Sequence, residues 1–266
     1  MALRDLSEIG DDLAVYLQFH VDEAQAAVGA VARADAAQAV SAHHEALGLV
    51  ELLLDANVAG FAEHLARSAQ TRLWLLGTPQ ETDADRGRRA SYDAPLHAAL
   101  AGGRPDLARE IATTSAKAPM PRAEYEDDFL YAHALHRHLL GDDTGAVSAL
   151  LDRFEAVLDG GADLRLDLLR ALLARDAGAA DTAFCAWMDA RAARIDALKA
   201  SSGFWDGSDA VLYPSVFVSV PGLAWLRLFE DAGVAMDDEY RFCPGLARGA
   251  RAGPLDGRAF PFRSLS

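Results

Sequence analysis

Histidines and carboxylates are concentrated in one stretch of the sequence, residues 124–138. His133 and His136 are three residues apart, so on a helix they share one face and could coordinate one metal ion. His138 points away from His133 around such a helix, and the acidic residues precede the histidines by a turn or more. A zinc or iron centre needs further ligands at defined positions. We therefore predict a solvated helix whose acidic first turn favours the helix dipole, and a metal-dependent enzyme using His133 and His136 is the weaker alternative.

The other residue types that carry chemistry are scattered. His20, His43 and His44 have no spacing that brings them together, and we predict surface positions for them. Cys185 and Cys243 are far apart, which supports neither a disulfide framework nor a cysteine metal site and predicts reduced thiols. No serine stands in a nucleophile-elbow pattern, and neither cysteine has a histidine nearby in sequence. These observations predict a protein that is not an enzyme and needs no cofactor.

Charge narrows the class of partner. The formal net charge is −15, whereas surfaces that bind DNA or RNA need clustered Lys and Arg, so we expect no nucleic-acid partner. Such a surplus of acids suits solubility or a basic protein partner. The N-terminal stretch contains Asp5, Glu8, Asp11 and Asp12 where an export signal needs a basic start and an apolar run, which predicts a cytoplasmic location.

Ala and Leu dominate the composition and aromatic residues are few, a balance that predicts an all-α fold. Apolar residues recur at steps of three and four, which predicts one helix through Val147–Leu158 and another that ends before Ser201. From Asp22 to Leu76 the chain is nearly free of helix breakers. We predict two or three helices there, with pauses near Ala34–Asp35 and at Asn57–Gly60.

The chain divides at a polar, charged segment, residues 77–93, whose composition predicts a loop. After it, turn residues recur at Gly102–Gly103, Gly141–Asp143 and Asp176–Gly178, about 35 to 40 residues apart, as in stacked helix-turn-helix units. We therefore predict a helical part over 1–76, the loop 77–93, an antiparallel helical-hairpin array resembling a solenoid over 94–247, and an irregular tail over 248–266. These parts form one continuous domain in this interpretation.

One apolar stretch, VLYPSVFVSVPGLAWLRLF at residues 211–229, differs from the rest of the chain. Pro214 and Pro221 interrupt it, so it cannot provide the roughly 20 continuous apolar residues of a membrane span, and we expect no membrane partner. We predict that it fills the core and leads into a last amphipathic helix, about Leu223–Phe229, which caps the open end of the helical stack. The predicted core residues of this stretch are Val216, Phe217, Val218, Trp225 and Leu228.

The C-terminal part resembles a known family. The sequence LLRALLARDAGAADTAFCAWMDAR, an aromatic loop, and then LYPSVFVSVPGLAWLRLFEDAGVAMDDEYRFCP are similar to the Imm49 family of immunity proteins from bacterial polymorphic toxin systems. The likeness covers roughly residues 97–247. It implies an α-helical cytoplasmic protein that binds and neutralises a cognate toxin without a cofactor. A general helical-repeat scaffold that binds another protein remains the alternative.

The resemblance does not identify contact residues, so these are predicted from the sequence itself. The acids Glu124, Glu126, Asp127 and Asp128 are candidate contacts for a basic toxin, since complementary charge accelerates association. Trp205 stands in a glycine-flanked loop, where it either lines a binding groove or plugs the core.

Overall fold

The structure is a computed structural model that describes residues 5–79, 86–200 and 210–255. Within these ranges the chain forms twelve α-helices and no strand, which confirms the all-α class. The helices are α1 (Leu6–Ala26), α2 (Ala30–Asp55), α3 (Val58–Gly77), α4 (Ala94–Ala101), α5 (Pro105–Thr114), α6 (Glu126–Leu139), α7 (Thr144–Leu158), α8 (Leu164–Ala174), α9 (Ala177–Ala200), α10 (Leu212–Ser215), α11 (Val220–Asp231) and α12 (Gly245–Arg248).

The first three helices pack in sequence order, α1 against α2 and α2 against α3. The predicted pause at Asn57 is confirmed, because Asn57 caps α3 by accepting a hydrogen bond from the Gly60 amide over 3.0 Å. The predicted pause at Ala34–Asp35 is wrong, and the chain turns instead at Gly29, whose φ is +91°. Ala34 lies inside α2, where alanine is the strongest helix former.

Two arginines fix the described end of the polar segment onto α3. Arg72 of α3 is buried and donates to the carbonyl oxygens of Gly87 and Arg89, the latter over 2.8 Å. Arg88 donates in the opposite direction, to the carbonyl oxygens of Leu75 and Leu76 over 3.0 Å each. The two Arg88 bonds satisfy carbonyl oxygens at the C-terminal end of α3 that have no partner within the helix.

Two of the three predicted turns of the second part are confirmed, because Gly102–Gly103 separates α4 from α5 and Gly141–Asp143 separates α6 from α7. The third turn lies slightly earlier than predicted, at Arg175–Asp176, since Ala177 and Gly178 already belong to α9. Neighbouring helices pack in order from α4 to α9. The solenoid-like arrangement of these pairs remains a prediction.

Helix α11 is placed differently from the prediction. It packs against α4, and its residues from Leu223 to Phe229 are all buried, so it lies inside the core and is not an amphipathic cap. The predicted core positions Val216, Val218, Trp225 and Leu228 are confirmed. Phe217 is 43% exposed and that prediction is wrong, since its ring lies outside the core against Tyr213, with the ring centroids 5.6 Å apart.

The beginning of the predicted tail packs on the helical array. The Ala252 amide donates to the Gly102 carbonyl over 2.8 Å, and Ala250 is fully buried. In the part of the chain that the structure describes, no helix combines the length and the apolar composition that crossing a bilayer requires.

Candidate functional site

Helix α6 carries most of the residues singled out in the sequence. Glu126, Asp127 and Asp128 occupy its first turn, as the dipole argument predicts. The rest of the prediction is wrong, because α6 is not a solvated helix. Every residue from Phe129 to His136 is buried, and the helix packs against α5 and α7.

His133 and His136 lie in the interior of the fold. The His133 ring stacks on Phe129 with 5.1 Å between the ring centroids, and in the described parts of the chain neither histidine Nδ1 atom has a hydrogen-bond partner. Burial, followed by the charges of Lys117 and nearby groups, lowers the pKa of His136 to about 3. Positive neighbours oppose a bound cation. Among the described residues, no group of three or more His, Cys, Asp or Glu side chains could hold a metal ion.

Four of the remaining six histidines form two pairs that the sequence did not predict. The rings of His20 and His43 lie 4.8 Å apart between α1 and α2. The Nδ1 atoms of His44 and His64 lie 3.0 Å apart between α2 and α3. The predicted surface position of His44 is wrong, because only 6% of the residue is exposed, and burial together with His64 lowers its pKa to about 3.

Three of the four predicted contact acids interact with other parts of the chain. Glu124 accepts hydrogen bonds from the amides of Ser91, over 2.6 Å, and Met120, over 3.1 Å. Glu126 accepts from Arg153 of α7 over 3.0 Å, and Asp128 accepts from Arg165 of α8 over 2.8 Å. These bonds hold the start of α6 in place. A role in partner contact stays a prediction for all four, and Trp205 lies outside the described residues.

The cysteines are not placed for nucleophilic chemistry. Cys243 is buried, and burial raises the pKa of its thiol to about 12, so the thiolate form is disfavoured at neutral pH. Cys185 is exposed, and partial burial together with Asp181 raises the pKa of its thiol as well. Neither thiol therefore has the lowered pKa that activates a catalytic cysteine.

A carboxyl group with an unusual environment lines a cavity of about 320 Å³. Glu45 of α2 lines it together with Ser41, Tyr92 and Ser215, and its remaining walls are apolar. Burial raises the pKa of the Glu45 carboxyl to about 7, against the opposing influence of Arg191. No feature of the sequence around Glu45 predicted this cavity, since its walls come from segments far apart in the chain.

The most prominent surface feature lies on α1, which sequence analysis did not select. Three large apolar side chains of this helix face solvent, Val15 at 70%, Tyr16 at 55% and Phe19 at 54% exposure. Acidic residues stand on both sides of them in the sequence of the helix, and α1 contains no Lys or Arg. An exposed apolar patch with a polar border is typical of a protein-binding surface.

Comparison with known protein families gives a match over most of the chain. Neither the curated proteins nor the solved structures contain a match to the chain. The family model described as Immunity protein 49 matches residues 18–246, which extend from the second half of α1 to α12. The matched region is larger than the part of the chain that carried the resemblance in the sequence. The chain belongs to the Immunity protein 49 (Imm49) family.

Proposed function

We propose that this protein is an immunity protein that binds a cognate bacterial toxin in the cytoplasm and neutralises it by forming a protein–protein complex. The observation that carries the proposal is the family match over residues 18–246, which takes in almost all of the described helices. Neutralisation by binding requires a stable surface of defined shape and no reaction centre.

The electrostatics of the chain support a basic toxin. The net charge of −15 creates a negative potential that attracts positively charged proteins and raises their association rate. A nuclease domain is one class of toxin with the required positive surface, because such a domain must itself bind phosphates.

The described side chains that could carry out catalysis lie in structural environments. His133 and His136 are buried, and the Nδ1 atom of each has no hydrogen-bond partner among the described residues. Cys243 is buried with a raised thiol pKa. These environments fit a protein that acts through its surface, and the bonds of Glu124, Glu126 and Asp128 to other parts of the chain help to hold that surface in place.

The test is co-expression with a candidate toxin domain, which we would seek among the genes next to the one for this chain. We expect cells that produce the toxin domain alone to stop growing and cells that also produce this chain to grow normally. The purified pair should elute as a stoichiometric complex, and the complex should lack the activity of the free toxin. A toxin domain from an unrelated system serves as the control and should remain toxic. Continued toxicity with the cognate domain, at equal expression of a folded chain, would contradict the proposal.

A further inference from the structure

The outer face of α1 is defined by residues three or four positions apart. Glu8, Asp11, Val15, Phe19 and Asp22 share this face, because such spacing places side chains one above another on a helix. The opposite face packs on α2 and contains the buried residues Ile9, Leu13, Val21 and Ala24. Val15 and Phe19 therefore stand at the centre of the solvent side, not at the edge of the core.

Exposed apolar side chains at the centre of this face are unusual, because α1 packs against the rest of the described chain only through its opposite face. In the described chain α1 packs against α2, and a surface helix of this kind normally presents charged and polar residues to water. A single exposed apolar side chain needs no explanation, but Val15 and Phe19 lie one turn apart on this face, and the exposed Tyr16 lies at its flank, three residues from Phe19. These side chains are not part of the core, so stabilisation of the fold does not explain why apolar residues occupy these positions.

Charges surround the apolar centre along the helix. Before it stand Glu8, Asp11 and Asp12, and after it stand Asp22 and Glu23, while α1 contains no Lys or Arg. Protein interfaces commonly have an apolar, aromatic centre and a polar border that remains wet. The complementary surface is an apolar recess with Lys or Arg on both sides.

The face continues onto α2 through a shallow groove of about 490 Å³. His20, Glu23 and Asp35 line this groove, and its remaining lining residues are alanines. Small side chains let a partner approach the backbone closely, and the two carboxylates extend the acidic border. The side chains of Val28 and Val31, which are 93% and 60% exposed, project near the same end of the helix pair.

We propose that the outer face of α1, centred on Val15, Tyr16 and Phe19, is the surface that binds the toxin, and that the toxin presents an apolar recess with basic residues on either side. This inference rests on the proposed function. A second copy of the chain is a poorer occupant, because a two-fold contact between two α1 faces would bring acidic ends against acidic ends.

The test measures the affinity of the cognate toxin domain, in a catalytically inactive form, for the intact chain and two variants. The double variant Val15→Ala, Phe19→Ala removes the apolar centre and keeps strong helix formers, so its melting temperature should equal that of the wild type. We expect its Kd to rise about a hundredfold, as for the loss of hot-spot residues. Tyr125→Ala is the matched control, since Tyr125 is also aromatic, is 79% exposed, and adjoins the acids at the start of α6.

The outcomes separate this inference from the proposed function. A weaker Kd for the α1 variant with an unchanged Kd for Tyr125→Ala supports the α1 face. An unchanged Kd for the α1 variant, with tight binding by the wild type, overturns the α1 face and leaves the immunity function standing. Absence of toxin binding by the wild type overturns both. Dimers of the free chain that dissociate in the α1 variant assign the face to a second copy and also overturn the inference.

Discussion

The Nη1 atom of Arg165 donates a hydrogen bond to the Oδ1 atom of Asp128 over 2.8 Å, and this pair joins the start of α6 to the start of α8. The same guanidinium bonds to Asp163 over 2.7 Å and lies over the Tyr131 ring, 4.8 Å from its centroid. Asp128 is thus one member of a small network that orients two helices. Its carboxylate has a function in the fold, whether or not a partner also contacts it.

Replacement of Asp128 by Asn should lower the free energy of unfolding by about 1 kcal/mol, because a charge-assisted hydrogen bond in a partly exposed network contributes an amount of this size. Asp127→Asn is the matched control, since no interaction of Asp127 is found within the described residues. Unfolding in urea measures the free energy of unfolding of both variants. Equal stability of the two variants would show that the Arg165 network contributes nothing measurable.

The same two variants also test the contact prediction for the acids of α6. If these acids meet the toxin, Asp127→Asn should weaken toxin binding while its unfolding free energy stays at the wild-type value. Titration of the toxin domain into each variant measures this. An unchanged Kd for Asp127→Asn removes Asp127 from the predicted contacts.

Phe217 and Val218 form a pair of adjacent residues with opposite environments, 43% and 2% exposed. Phe217→Asp should cost about 1 kcal/mol, since the new charge stays in water and the ring contact with Tyr213 is lost. Val218→Asp should cost about 3 kcal/mol or more, because it buries an unpaired carboxylate. Melting temperatures of both variants provide the measurement. A fall in melting temperature for Phe217→Asp as large as that for Val218→Asp would show that the Phe217 side chain belongs to the core.

The helices were predictable because their signals are local. The apolar stripe of α7 and the glycine and aspartate turns between the helix pairs depend only on neighbouring residues. Which side of a helix is buried is a different question, since it depends on what packs against that helix. Acidic residues, histidines and an arginine give α6 a polar sequence, yet α6 packs against α5 and α7, and α11 packs against α4.

The candidate functional surfaces also divide into those that local sequence signals could reveal and those that depend on tertiary packing. The outer face of α1 could have been found from the sequence, because Val15 and Phe19 lie opposite the stripe of Ile9 and Leu13 at helical spacing. The approach of His44 to His64 and the cavity at Glu45 could not, since each depends on residues brought together by the tertiary fold.

Gly103 should tolerate alanine poorly. Its φ is +70°, and a Cβ atom there would lie 2.7 Å from the Ala250 carbonyl oxygen. We expect Gly103→Ala to cost about 2 to 4 kcal/mol, from the left-handed backbone and from displacement of the segment around Ala250. Gly233→Ala is the control, because its φ is +77° and no atom lies within 4 Å of the added carbon, so only the backbone cost of about 1 kcal/mol remains. Equal losses in thermal unfolding would mean that the segment moves away without cost.

Glu45 should make stability depend on pH. Its carboxyl pKa in the folded chain is about 7, above the ordinary value of 4.5. Between these two values the folded state binds more protons than the unfolded state, so this group makes the free energy of unfolding fall as pH rises, and the penalty is complete above about pH 7. Glu45→Gln removes the penalty. The variant should exceed the wild type by about 1 to 3 kcal/mol near pH 8, with little difference near pH 4.

Denaturant unfolding of both proteins across this pH range measures the difference, in which the contributions of the buried histidines cancel. Glu110→Gln, at an exposed position of α5, controls for the loss of one negative charge and should stay within about 0.5 kcal/mol of the wild type at both pH values. If Glu45→Gln differs from the wild type by the same amount near pH 4 and pH 8, the pKa of this carboxyl in the folded state equals its ordinary value of 4.5. The cavity at Glu45 would then be a polar, hydrated site and not an environment that favours the protonated acid.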